Sequence, residues 1–425
     1  MPIPSPLYSR TAALCTTQEW RDWSGYFSAI TYGPSHEVEY YAVRNAAGLM
    51  DASPLYKYEI RGADAERLLD RMVTRNVAKS RVGQVLYTPW CDEDGKVIDD
   101  GTLARLDKDH FRLTAADPSL RWLQDVGYGL DVELRDVSTE LAALALQGPN
   151  SYAILQSLFS NLKLETLRYY NLRQTEFNGA PLTITRTGYT GDLGYELWTP
   201  AEHAPALWDA VMLAGAGYGI LPLGLAALDI LRVEAGLLLI EVDYSSTLHA
   251  RIPEQQSSPY EIGLGWAVDL DKGDFIGKQA LLAEASLRGV LHEVQPTKQP
   301  PTQNRGLLRS QRPAGRSLVG LEVDWHDLER LFGEANLPPQ VAGRASRTAV
   351  PVYAGGQHVG QATSMVFSPI LKKYIALATV RSEYAALGTP LEFEITVEYE
   401  RKRAGATVSK MPFYNPAQKR ALPNG

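Results

Sequence analysis

The run Arg186-Thr187-Gly188-Tyr189-Thr190-Gly191-Asp192-Leu193-Gly194-Tyr195-Glu196-Leu197 constrains the fold more than any other stretch of the chain. Three glycines within seven residues interrupt any regular strand, and they let the backbone approach a flat ligand or turn sharply. Leu182 and Ile184 alternate on the way in, so the spacing predicts a strand, a tight bend and a second strand carrying Glu196 and Trp198. A carboxylate with rings beside it suits a flat heterocycle presenting two N–H donors, because Glu accepts a pair of parallel hydrogen bonds. An ordinary hairpin with Tyr189 and Tyr195 in the core fits the same residues. The residues alone leave both readings open.

A chain of 425 residues is too long for one compact core, and two or three domains are expected. Its 45% hydrophobic and 21% charged content is that of an ordinary globular protein. A net charge of −7 leaves no general basic surface for nucleic acid. Cys15 and Cys91 are too few for a disulfide framework, and the seven histidines include no pair at metal-ligand spacing, so no metal is expected. No apolar run reaches about 18 residues and the N-terminus lacks an apolar h-region, so neither a membrane span nor an export signal is expected, and the cytoplasm is the expected compartment. Gly215–Gly219 is not a dinucleotide fingerprint, and no Walker motif or nucleophile elbow is present. The chain is therefore not expected to perform redox chemistry.

Residues 1–36 show no periodicity and read as an N-terminal arm. The pattern predicts a helix over Glu37–Leu49 ended by Gly48, a strand over Leu55–Ile60, and a helix over Ala65–Val73 capped by Asp64. A D-x-D-G turn at 92–95 joins the strands Val85–Cys91 and Lys96–Asp100 into a hairpin. Further strands are expected at Phe111–Ala115 and Leu141–Leu146, and helices at Ala204–Ala214 and Leu225–Ala235. In 286–316 Pro, Gln, Arg and Gly dominate, which reads as a linker. After a strand at Leu318–Val323 and a short helix at Trp325–Leu337, the β-type segments Pro351–Gly360, Gln361–Phe367, Tyr374–Val380 and Leu391–Tyr399 predict a small antiparallel domain of barrel or jelly-roll kind over 317–425.

Several words stand in order along the chain: the A-V-R-N-A-x-G-x-x-D-x-S pattern at Ala42–Ser53, A-L-Q-G-P at Ala145–Pro149, Y-T-G-x-x-G-Y-E at Tyr189–Glu196, R-V-E-A-G-L at Arg232–Leu237, E-I-G-L-G-W at Glu261–Trp266, D-F-I-G-K-Q-A-L at Asp274–Leu281, and V-G-Q-A-T-S, S-P-I-L-K-K and M-P-F further on. With these, the chain resembles the glycine-cleavage T-protein family over roughly residues 37–285 and 317–413. That family comprises tetrahydrofolate-dependent aminomethyltransferases, related demethylases, and the folate domains of sarcosine and dimethylglycine oxidising enzymes. The resemblance implies an α+β fold: folate-binding α/β subdomains around a central cleft over 37–285, and a small C-terminal antiparallel β-barrel domain. It implies tetrahydrofolate as the cofactor, Glu196 on the pterin edge, Tyr189 close by, Asp100 as the catalytic carboxylate near the reactive N5, and Arg347 near the folate tail. Tyr87 and Trp266 are candidates for walls of the pterin site, with plain core packing as their alternative.

Asp99 and Asp100 are neighbours on a strand and point to opposite faces, so only one can face a buried cleft. A carboxylate beside N5 orients the folate and stabilises positive charge growing on nitrogen. From the residues alone, two turn-edge acids in solvent fit as well, and Arg347 fits a solvated arginine beside Arg344. Glu234 and Asp243 read as structural, satisfying backbone or Arg232. The chain departs from the T-proteins at Ala116, where they usually carry Asn, and at Leu228, where they commonly carry Arg. These departures and the additional segments favour a demethylase that moves a methyl group from a small O-, S- or N-methyl donor to N5 of tetrahydrofolate. The alternatives are the aminomethyltransferase of glycine cleavage, served by a lipoylated carrier protein, and a non-catalytic folate-binding protein. Members of the last kind carry a K-G-C-Y-x-G-Q-E word that is absent here.

Overall fold

A computed structural model describes residues 1–289 and 315–421. Most of the linker expected at 286–316 lies outside those residues, and its start belongs to the helix Lys278–Leu287. The protein is α+β. A six-stranded sheet runs in the order 172–177, 180–185, 194–200, 141–147, 47–51, 220–222, and a five-stranded sheet in the order 85–91, 97–107, 110–115, 56–61, 133–136. The strands 316–323, 373–381, 357–368, 350–354, 390–397 and 400–409 close into a barrel in which every neighbouring pair is antiparallel. Closure removes the exposed edges that an open sheet of this size would carry.

Each unit follows from its pattern. The run Leu141–Gln147 is apolar without alternation, which suits its place between the strands 194–200 and 47–51 with both faces covered. In the hairpin 85–91/97–107, Trp90 pairs with Asp99 and Pro89 with Asp100, so the two acids begin on opposite faces of one strand. The helix Leu225–Glu234 is buried on nearly every side and fills the space between the sheets and the barrel. Its charged residues are matched in place. Arg232 reaches Asp229 at 3.0 Å and Asp243 at 2.7 Å, while Glu234 accepts from Arg44 at 2.6 Å and from Ser368 of the barrel at 2.5 Å. Asp243 also accepts from Thr363 and Ser364 at 2.7 and 2.6 Å. Asp243 thus satisfies Arg232 as expected, whereas the charged partner of Glu234 is Arg44.

Two local expectations change. The helix begun at His36 ends at Asn45, and Gly48 lies inside the strand Ala47–Asp51. A Cβ there would meet Val43 at 2.6 Å, so this glycine serves close packing of strand on helix. Asp64 precedes the helix Ala65–Met72 but its side chain does not cap it; the carboxylate accepts from the Asp131 amide at 3.0 Å instead. Among the described residues no helix is long and apolar enough to cross a membrane.

Candidate active site

The strand Val97–Asp107 delivers Asp100 to a half-buried position where both of its carboxylate oxygens are engaged. Oδ2 accepts from the Tyr87 hydroxyl, which comes from the paired strand Val85–Cys91, and Oδ1 accepts from the Tyr244 hydroxyl, which comes from the loop after the buried helix. Burial pushes the Asp100 carboxyl above its ordinary range, and the two hydroxyls pull it back. Burial raises both phenols well above theirs, and the Asp100 charge adds to this, so both stay protonated donors. Asp99 is not in solvent. It is fully buried on the other face, with Oδ1 accepting from the Asp100 amide at 2.7 Å and Oδ2 from the Ala116 and Asp117 amides at 3.1 and 3.0 Å. Its carboxyl is raised by burial first and by the Asp100 charge second.

The glycine-rich bend approaches the protein's own side chains. A Cβ on Gly188 or Gly194 would lie 2.0 or 2.3 Å from the Gln147 amide, and one on Gly191, at φ +77°, would meet Ala235 at 2.5 Å. Gln147 fills the bend: its amide donates to the Thr187 carbonyl at 3.2 Å, and its oxygen accepts from the Thr190 hydroxyl at 2.8 Å. The flanking strands pair as expected, with Thr185 opposite Glu196 and Thr183 opposite Trp198. The two tyrosines of the motif then separate. Tyr195 is fully buried in the core of the six-stranded sheet, whereas Tyr189 is half-buried and donates to the Leu238 carbonyl.

Glu196 is half-buried, and its Oε2 accepts from the Thr187 hydroxyl at 2.5 Å and, more weakly, from Thr185 at 3.4 Å. Burial raises this carboxyl and the threonines oppose the rise. The hydrogen bonds to one oxygen hold the carboxylate plane in place, so the site differs from a Glu with both oxygens free. Tyr170 joins the two carboxylates: the charges of both Glu196 and Asp100 contribute to the rise of its phenol, behind burial and Tyr169. It occupies the left-handed region at φ +58°, its amide donating to the Arg186 carbonyl at 3.0 Å and its carbonyl accepting from the Val85 amide at 2.9 Å. The backbone of Tyr170 thereby pins the two sheets together at the cleft.

Tyr87 is held on Asp100 directly, and burial raises the Tyr189 phenol so that it too stays a protonated donor. Trp266 stacks on Tyr87 with ring centroids 6.0 Å apart and a 16° tilt, its outer face exposed. Arg347 is held by another carboxylate, that of Asp229. Its guanidinium grips Asp229 Oδ2 at 2.8 and 2.9 Å, and Arg21 from the N-terminal hairpin lies 3.8 Å from the same oxygen. Arg344 instead meets Glu19 at 2.7 Å. Leu228 packs against the central core. Sequence reasoning missed Tyr244, Tyr170, Thr185 and Thr187. The parity of Thr185 and Thr187 on one edge of the bend was a usable signal, but nothing local marks Tyr244 or Tyr170.

The chain is similar to known proteins over nearly its whole length. The family model described as GCVT N-terminal domain matches residues 8–272, and the one described as Glycine cleavage T-protein C-terminal barrel domain matches residues 337–415. The chain is 35% identical to the Aminomethyltransferase of Geobacillus thermodenitrificans (strain NG80-2) over 422 residues, covering 97% of this chain and 98% of that protein. It is 33% identical over 419 residues to the Trimethylamine-oxide aldolase of Ruegeria pomeroyi (strain ATCC 700808 / DSM 15171 / DSS-3), covering 95% of this chain and 46% of that protein. The crystal structure of glycine cleavage system aminomethyltransferase T from Bartonella henselae shares the fold, with a TM-score of 0.77 at 23% identity over 98% of this chain and 99% of that one. The agreement runs through both parts of the fold and nearly the whole length: this chain belongs to the glycine cleavage T-protein family.

Proposed function

We propose that this protein is a tetrahydrofolate-dependent one-carbon transferase, and that its donor is an aminomethyl group presented on a lipoylated carrier protein. The observation that carries the reading is the Asp100 carboxylate, held by the hydroxyls of Tyr87 and Tyr244. These residues fit a reduced pterin. Glu196, oriented through Oε2 by Thr187, presents an acceptor for ring N–H groups, and the stacked pair Tyr87 and Trp266 offers an aromatic wall. Tetrahydrofolate, when bound, supplies the nitrogen nucleophile that takes up the one-carbon unit.

The chain's own residues then have separate tasks. Glu196 and Tyr189 orient the ring. Asp100 stabilises positive charge growing on nitrogen and can hold a proton there, because its carboxyl lies above the ordinary range. Tyr87 and Tyr244 keep that carboxylate aimed. Arg347, paired with Asp229, supplies the guanidinium for a carboxylate-bearing tail.

The aminomethyl donor takes precedence over the methyl donor that the sequence favours, because relatives named Aminomethyltransferase match at 31–36% identity across most of the chain. One observation favours transfer of a methyl group from a small donor. Ala116 brings no side-chain amide to the site; only its backbone N–H is used, on Asp99. Mass spectrometry of the folate product decides between them. 5,10-Methylene-tetrahydrofolate with ammonia supports the aminomethyl reading, 5-methyl-tetrahydrofolate replaces it with the methyl reading, and no folate product with either donor class overturns the transferase.

A further inference from the structure

A second cluster of titratable side chains lies beside the two acids without touching Asp100. The ring of His249 is half-exposed, with Nε2 3.2 Å from Asp117 Oδ2 and Nδ1 3.2 Å from Glu241 Oε1. These two neighbours reach the acid pair from opposite sides. On one side the Asp117 and Ala116 amides donate to Asp99, which in turn accepts from the Asp100 amide. On the other, the Glu241 amide donates to the Tyr244 carbonyl at 2.7 Å, and the Tyr244 hydroxyl donates to Asp100. The loop between is drawn tight: Glu241 Oε1 accepts from the Ser246 amide at 2.8 Å, and the His249 amide donates to the Ser246 carbonyl at 3.0 Å. The contacts close into a ring running Asp100, Asp99, Asp117, His249, Glu241, Tyr244 and back to Asp100.

We propose that His249 is a positioning residue for the transfer: it ties the loop bearing Tyr244 to the strand end that holds Asp99, and so sets the Tyr244 hydroxyl on Asp100. An isolated exposed ion pair contributes little. This one differs in that it spans the two segments that flank Asp100, each tied to that residue by its own hydrogen bonds. The partners also call for donors at both ring nitrogens. Both are carboxylates, which only accept, and a neutral imidazole has one N–H, so one carboxylate would then face a lone pair. The imidazolium presents N–H at both nitrogens. Among the described residues, Asp117 from the end of the strand His110–Ala115 and Glu241 from the loop of His249 itself are the charged groups facing the ring. Both links of the tie are complete only when each ring nitrogen carries a proton. Glu241 adopts φ +61°, a left-handed conformation uncommon for a residue with a side chain, so the loop is held in one shape.

This inference rests on the one-carbon transferase reading, and the test separates the two. In the full-length protein, kcat and KM for tetrahydrofolate are measured from pH 5.5 to 9 for wild type and His249→Gln. The Tyr244 ring signal of 13C-tyrosine-labelled protein is followed over the same range without substrate. The expected result is a KM for tetrahydrofolate that is unchanged between the two proteins and a kcat that His249→Gln lowers by about tenfold, the scale of a small misplacement of an oriented group. The substitution should also displace the Tyr244 signal, as expected when its hydroxyl loses its setting on Asp100. A His249→Gln protein with wild-type kcat and an undisplaced Tyr244 signal overturns the proposal. So does a loss of kcat accompanied by a lower Tm with the Tyr244 signal in place, which marks plain loss of stability. If wild type transfers no one-carbon unit, the transferase reading fails, and the Tyr244 signal alone then judges the tie. A signal displaced in His249→Gln supports it, and an undisplaced one overturns it.

Discussion

Asp99 and Asp100 are joined by a 2.7 Å hydrogen bond from the Asp100 amide to Asp99 Oδ1, yet the first is sealed in the interior and the second faces the cleft between two tyrosine hydroxyls. Opposite faces of one strand explain the division. If Asp100 carries charge stabilisation, Asp100→Asn should keep the shape of the site and the affinity for folate while turnover drops ~100- to 1,000-fold. Single-turnover measurements check this. Unchanged turnover would move the role elsewhere, with Asp117 next in line.

Asp99→Asn should act mainly on the fold. The amide keeps one acceptor oxygen but turns an NH2 toward backbone N–H groups that Asp99 now satisfies. Turning a donor onto these buried amides costs on the order of 1–3 kcal/mol, to be read from thermal or denaturant unfolding. The pH dependence has a definite sign. Because the folded state raises this carboxyl, it holds the proton more tightly than the unfolded chain. The contribution to stability is complete below the ordinary carboxylate range and is lost as pH rises through the raised value. Asp99→Asn should flatten that slope. A variant with wild-type stability and slope would show that the three amides are satisfied some other way.

Glu196→Ala should weaken folate binding ~30-fold or more, the scale of a lost charge-assisted hydrogen-bond pair in a partly buried site. Thr187→Val should do less, and differently. Removing the 2.5 Å hydroxyl contact takes away a group that holds the carboxyl down, so ionisation moves to higher pH. Folate affinity, which needs the carboxylate, should then rise with pH over a range displaced upward from wild type. Titration calorimetry across acidic pH reads both effects, and a folded Glu196→Ala protein with wild-type affinity would remove Glu196 from the site.

Arg347→Ala should weaken binding of folates that carry a glutamate tail more than binding of the bare pterin, since a guanidinium meets the tail carboxylate only when that carboxylate is present. Asp229 keeps Arg232 and Arg21 as partners in the variant, so the fold should hold. Equal losses for both ligands would place Arg347 at the ring or away from the ligand.

The C-terminal segment is tied to the glycine-rich bend. Arg186, fully buried, donates to the carbonyls of Gln418 and Lys419 at 3.3 Å and of Ala421 at 2.5 Å, and the Gln418 amide donates to Asp192 at 3.0 Å. Ending the chain after Asn415 strips a buried guanidinium of these acceptors. About 2–3 kcal/mol of stability should be lost, with protease sensitivity appearing in the bend 186–193. A truncated protein that melts with the full-length one would reduce the segment to a surface ornament of the fold.

Much of this protein was legible in its residues because the relevant physics is local. Period-two patterning and the D-x-D-G turn marked the hairpin that carries Asp100, and apolar residues mixed with Asp229, Arg232 and Glu234 after a Pro-Leu-Gly start marked the buried helix Leu225–Glu234. The glycine-rich bend and its flanking strands were equally plain, and the ordered words along the chain pointed to the family before any contact was known. What the tertiary structure decided are pairings between distant residues. Tyr244 meets Asp100 across 144 positions, and Arg44 meets Glu234 across 190, where the neighbouring Arg232 had seemed the natural partner. Gly188 and Gly194 are small because Gln147, some 40 residues earlier, fills the space a Cβ would take. Asp99 looked like a turn-edge acid until three backbone amides, two of them from the next strand's end, were seen to close over it. Sequence patterns report which face of an element is buried, through side chains two to four residues apart. They carry no record of which buried polar group lies opposite, because that partner is chosen only when separate elements are packed together and each group left without one would bear its full desolvation cost.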